Sequence, residues 1–103
     1  MGLAIFENYS QSTEGTKYAP LLVSATQMRT FDIVCQWVKS IKTDELEINK
    51  DFYEIFYREG KYEITVSITS EGDDSLINAS VLGPRGKTRK KLIDLLQEIM
   101  HSF

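Results

Sequence analysis

Phe52 to Thr69 reads FYEIFYREGKYEITVSIT, two alternating runs that meet at Arg58-Glu59-Gly60-Lys61. Period-two alternation puts every second side chain on one face of a strand, and two such runs around a glycine form an antiparallel pair. With Glu59-Gly60 as the turn, Arg58 faces Lys61, Tyr57 faces Tyr62, Ile55 faces Ile64 and Tyr53 faces Val66. One face then collects the apolar residues of both arms. Gly60 supplies the positive φ that a two-residue turn requires.

The pattern extends in both directions from this hairpin. Downstream, SEGDDS makes a turn, and Leu76 to Leu82 forms a third strand with Ile77, Ala79 and Val81 inward, ended by Gly83-Pro84-Arg85-Gly86. Leu92, Leu95, Leu96, Ile99, Met100 and Phe103 then recur at helical spacing. Upstream, Leu46 and Ile48 alternate with Glu45, Glu47 and Asn49, but the apolar parity changes before Tyr53. Either a bulge lies near Asn49 to Asp51 or two short strands meet there.

Before that, Met28, Phe31, Val34, Cys35, Val38 and Ile41 mark one face of an amphipathic helix, widened by Ile33 and Trp37. Ser24 and Gln27 have the capping-box spacing at its start, and Lys39 and Lys42 suit the negative end of its dipole. In the first 23 residues, Leu3 to Tyr9 and Tyr18 to Val23 flank a polar SQSTEGTK stretch with loop composition, and Pro20 favours an edge position. The expected fold is a two-layer α+β domain over residues 1–103. It has an extended arm or edge hairpin (1–23), a helix (24–42), a three-stranded antiparallel meander (45–82) and a C-terminal helix (87–102) packed on one face of the sheet.

The composition, 42% apolar and 26% charged, is that of an ordinary globular protein. No run of about 18 apolar residues is present, and the start MGLAIFENYS lacks the basic residues and longer apolar core of a secretory signal. A soluble cytoplasmic protein without a membrane partner is expected. Cys35 is the only cysteine and His101 the only histidine. An intramolecular disulfide and a cysteine-cluster metal site are excluded, and Cys–His nucleophile chemistry has few groups to draw on. Cys35 lies on the apolar helix stripe and reads as a core thiol, His101 as a surface residue near the chain end. No catalytic residue, cofactor or metal is implied, and a non-enzymatic role is expected.

The segment GPRGKTRKK places five of the twelve basic residues, Arg85, Lys87, Arg89, Lys90 and Lys91, in seven positions around a helix start. The helix dipole is already positive there, so stability alone favours acids at those positions. The segment is not a nucleotide-binding loop, because the glycine required five residues before Gly86 is Val81. Arg58 and Lys61 fall at the same end of the meander and extend this candidate contact for an anionic partner. From Asp44 to Asp74 there are ten acids against three bases, and Asp44, Glu45, Glu47, Glu71, Asp73 and Asp74 are expected at the opposite end. A pI near 5.1 and a basic cluster without interleaved aromatics argue against nucleic acid.

Phe52 and Phe56 point away from the Tyr53, Ile55, Tyr57 face. They are covered by Leu3, Ile5 and Phe6 or they form an interface for a protein partner or a second copy. Glu54 and Glu63 share that outer face, facing Thr65 and Phe56, and do not form an opposed carboxylate pair. The function expected from these features is a small interaction module, homodimeric if the outer face self-pairs. The alternative is a small-ligand binder with a pocket between helix and sheet lined by Tyr53, Tyr57 and Tyr62.

Overall fold

A computed structural model describes residues 13–17 and 20–103. In chain order the elements are β1 (Thr13–Lys17), β2 (Leu21–Val23), α1 (Gln27–Ser40), β3 (Glu45–Asn49), β4 (Glu54–Glu59), β5 (Tyr62–Glu71), β6 (Asp74–Pro84) and α2 (Thr88–Met100). The six strands form one antiparallel sheet in the order β1-β6-β5-β4-β3, with β2 also paired to β6. Both helices pack on the same face of it, giving the two-layer α+β fold.

The sheet has six strands where the sequence pattern predicts a meander of three. Of the two readings of the parity change before Tyr53, the two-strand one holds. β3 and β4 are separate strands joined through Lys50 to Tyr53, with Ile48 opposite Ile55. The Asp51 N–H donates to the Asn49 side chain across this turn at 3.2 Å. Tyr53 closes it at φ +52°, the only non-glycine residue with positive φ among those described.

The β4–β5 hairpin is shifted from the expected pairing. Glu59 faces Tyr62, Tyr57 faces Ile64 and Ile55 faces Val66, so the turn is Gly60-Lys61. Gly60 has φ +60° at the first turn position, as a type II′ turn requires. The shift is an even number of residues, and the inner face is therefore the expected one: Ile55, Tyr57, Ile64, Val66, Ile68, Ile77, Ala79 and Val81 are all buried. Gly72, at φ +62°, makes the same kind of two-residue turn between β5 and β6.

The helix α1 is capped one residue pair later than the Ser24–Gln27 spacing suggests. The Thr26 hydroxyl accepts the Arg29 N–H, and the Gln27 amide donates instead to the Ile68 carbonyl on β5 at 2.9 Å. Phe31, Val34, Cys35, Trp37 and Val38 enter the core with Leu92, Leu95, Leu96 and Ile99 of α2. Met28, Met100 and Phe103, expected on those apolar faces, are exposed. Trp37 stands edge-on to Tyr57 and Phe31 edge-on to Tyr53, with ring centroids 6.1 and 5.4 Å apart.

At the N-terminal side, five of the eight residues of the expected loop SQSTEGTK form strand β1. β1 and β2 run along the same edge of β6, but three residues lie between Lys17 and Leu21 and only two between their partners Ser80 and Ile77. The edge thus carries one more residue than the strand it pairs with. The expected strand Leu3 to Tyr9, its pairing with Tyr18 to Val23, and the cover expected from Leu3, Ile5 and Phe6 lie outside the described residues.

Candidate functional site

Strand register sorts the side chains of the sheet into two faces. The rows facing away from the helices are Glu45, Arg58, Glu63 and Leu82; Glu47, Phe56, Thr65 and Ser80; Asn49, Glu54, Ser67 and Asn78; Thr69, Leu76 and Leu22; and Glu71 with Asp74. Six carboxylates share this face with Arg58, which is the only base among its described side chains. Within the rows lie Phe56, Leu76, Leu82 and Leu22, the last two 46% and 58% exposed. Gly15 on β1 has no side chain over Leu82, and a shallow depression of about 300 Å³ opens there between Phe56, Glu63 and Leu82. Among the described residues nothing covers it.

Phe52 does not join Phe56 on this face. It sits on the β3–β4 turn, 74% exposed, because the strand expected to carry both begins only at Glu54. Glu63 faces Arg58 and Glu54 faces Ser67, a consequence of the shifted hairpin, and the two glutamates are again unopposed.

The basic start of α2 lies beside the β4–β5 turn, as the meander geometry suggests. Lys91 bonds Glu59 at 2.5 Å and stands over the Tyr62 ring, 5.4 Å from its centroid. Lys90 pairs with Asp94 and Arg58 with Glu45. Arg85, Lys87, Arg89 and Lys61 are exposed and make no ion pair among the described residues. The expected separation of charge between sheet ends holds for Glu71, Asp73 and Asp74 but not for Asp44 and Glu45. Because β3 reverses the chain once more, Asp44 reaches the Gly60 turn and accepts its N–H at 2.6 Å.

The acid that α2 lacks at its own start comes from β1. Glu14 Oε1 accepts the Gly86 N–H at 2.8 Å and the Thr88 hydroxyl at 2.6 Å, and these bonds together with the charge of Arg85 lower its pKa. Lys87 at the N-cap makes no side-chain capping bond. Sequence reading has no local signal for Glu14, which sits in a polar stretch with no apolar neighbours to mark a strand.

Tyr53, Tyr57 and Tyr62 do not converge on one cavity. Tyr57 is buried against Trp37, Tyr53 packs on Phe31, and Tyr62 lies under Lys91. Burial pushes the Tyr57 hydroxyl pKa up. A groove of about 630 Å³ does open between helix and sheet, on the other side of Tyr53, lined by Met28, Phe31, Asp32, Cys35, Gln36, Lys39, Ile48, Lys50 and Tyr53. These residues become neighbours only when α1 crosses the β3–β4 turn, so spacing along the chain does not reveal them. Among the described residues no helix is long and apolar enough to cross a membrane.

No protein-family model matches the chain, and no curated protein matches it. A solved structure does: a point mutant of Thalictrum flavum norcoclaurine synthase in complex with a transition-state analogue. The match has a TM-score of 0.53 at 11% identity, covering 87% of this chain and 91% of that one. The likeness is one of fold alone, helices packed on one face of an antiparallel sheet.

Proposed function

We propose that this protein is a small non-enzymatic interaction module of the cytoplasm that docks a protein segment carrying apolar and basic side chains on its outer sheet face. The observation that supports this reading is a Phe56–Leu82 depression, lined by Glu63, on the same outer face as five further carboxylates. An apolar anchor in the depression supplies affinity, and basic neighbours on the partner meet Glu63, Glu47 and Glu54. A second copy docked face to face sets like charges against each other. A homodimer therefore fits only with the basic α2 start of one copy, Arg85 to Arg89, turned toward the acidic face of the next.

Titration with a synthetic peptide of alternating leucine and lysine tests this by amide chemical shifts. We expect salt-sensitive shifts at Phe56, Glu63 and Leu82 that disappear in a Phe56→Ser/Leu82→Ser variant which stays folded. Absence of shifts at low ionic strength, or unfolding of the variant, would overturn the reading. So would protection of Phe56 by the residues that precede Thr13.

A further inference from the structure

The groove between α1 and the β3–β4 turn lies on the helical side of the sheet and plays no part in the reading above. Its volume of about 630 Å³ falls within the range of small-molecule clefts. Phe31 and Cys35 are buried and Ile48 and Tyr53 half-buried, so the floor is apolar and already packed. Tyr53 is held at φ +52°, a backbone state that a bulky side chain adopts only where its surroundings impose it, and its ring meets Phe31 edge to face.

Charge completes the lining. Lys39 enters from α1 and Lys50 from the turn, and neither makes an ion pair with a described residue. Lys39 on α1 and Lys50 on the β3–β4 turn line the same groove as Cys35, so two separate elements each bring a cation to it. Asp32 is the one carboxylate on the lining and leaves it net positive.

We propose that this groove binds a small aromatic carboxylate, with its ring against Phe31 and Tyr53 and its carboxylate between Lys39 and Lys50. A neutral aromatic forgoes the two ammonium groups. A larger polyanion meets Asp32.

Naphthoate is a suitable probe. It should shift the amides of Phe31, Cys35, Ile48 and Tyr53 and slow alkylation of Cys35 by iodoacetamide. A Lys39→Ala/Lys50→Ala variant, altered only at exposed side chains, should bind about ten-fold more weakly with an unchanged melting temperature. Naphthamide, which keeps the ring and lacks the charge, should bind the unaltered protein as weakly as naphthoate binds the variant. The proposal is overturned if naphthoate moves no groove amide, if naphthamide binds the unaltered protein equally well, or if the shifts fall on Phe56 and Leu82 instead. The last result would leave the outer-face reading standing without the groove.

Discussion

Glu14 and Thr88, 74 residues apart in the chain, are joined by a 2.6 Å hydrogen bond from the Thr88 hydroxyl to the Glu14 carboxylate. The same oxygen takes the Gly86 N–H, and Thr16 on β1 meets Thr88 a second time at 2.5 Å. A five-residue edge strand without a buried apolar side chain among those described is thereby tied to the start of a helix. The folded pKa of Glu14 lies below its unfolded value. Its contribution is therefore fully present above the unfolded value and is lost as pH falls through the folded one. We expect the protection of the β1 amides, their exchange measured against the intrinsic rate at each pH, to fall over that acid window in the native protein. In a Glu14→Gln variant exchange should be faster at neutral pH and no longer respond to this titration.

Gly83 on β6 faces the ring of Tyr62, and a Cβ added there stands 2.6 Å from Tyr62 Cδ1. The ring has little room to retreat, since Lys91 stands over it. Gly83→Ala should cost about 1–3 kcal/mol through overpacking. Adding Tyr62→Leu should recover part of that loss in a double-mutant cycle read by urea denaturation, whereas additive effects would show that the contact is not the cause.

Tyr53 inverts the usual order of substitutions. Alanine normally outranks glycine in stability, but at φ +52° alanine keeps the backbone strain and glycine does not. Both replacements lose the edge-on contact with Phe31. Tyr53→Gly should be more stable than Tyr53→Ala by about 1 kcal/mol, and the reverse order in thermal or urea unfolding would contradict the assigned backbone geometry.

Thr30 and Ser75 share a 2.7 Å hydrogen bond, and both residues are fully buried. Thr30→Val strands the Ser75 hydroxyl and should cost about 1–3 kcal/mol, while replacing both with Val and Ala should be nearly neutral. Ser75→Ala alone should cost less than Thr30→Val, because a helical threonine hydroxyl can turn back to a carbonyl one turn earlier. Equal single losses and an additive double loss would refute the pairing.

Alternation made the inner face of β5 and β6 readable from the sequence, and an error of two residues in the hairpin register left it unchanged. Glycine in the first rather than the second turn position accounts for that error, and for the wrong partners assigned to Glu54 and Glu63. β1 was illegible because TEGTK carries no apolar residue: its inward positions, Glu14 and Thr16, are held by hydrogen bonds rather than by burial of carbon. Alternation marks Phe56 as an outward residue, but Phe52 does not share its face because the Tyr53 turn interrupts the strand. Composition reveals the basic cluster, but its internal partners Glu59, Asp94 and Glu45 come from three different elements.

β6 joins nearly everything: β5 on one side, β1 and β2 on the other, and α2 directly behind it. During synthesis the N-terminal strands leave the ribosome long before the segment that receives them exists. The meander from β3 onward consists of neighbours in sequence and can zip locally, whereas β1 has to wait for Ser80 to Pro84 and then for Thr88. Refolding should thus show a late step that orders the edge strand, slowed by loop closure and not by formation of the central hairpins.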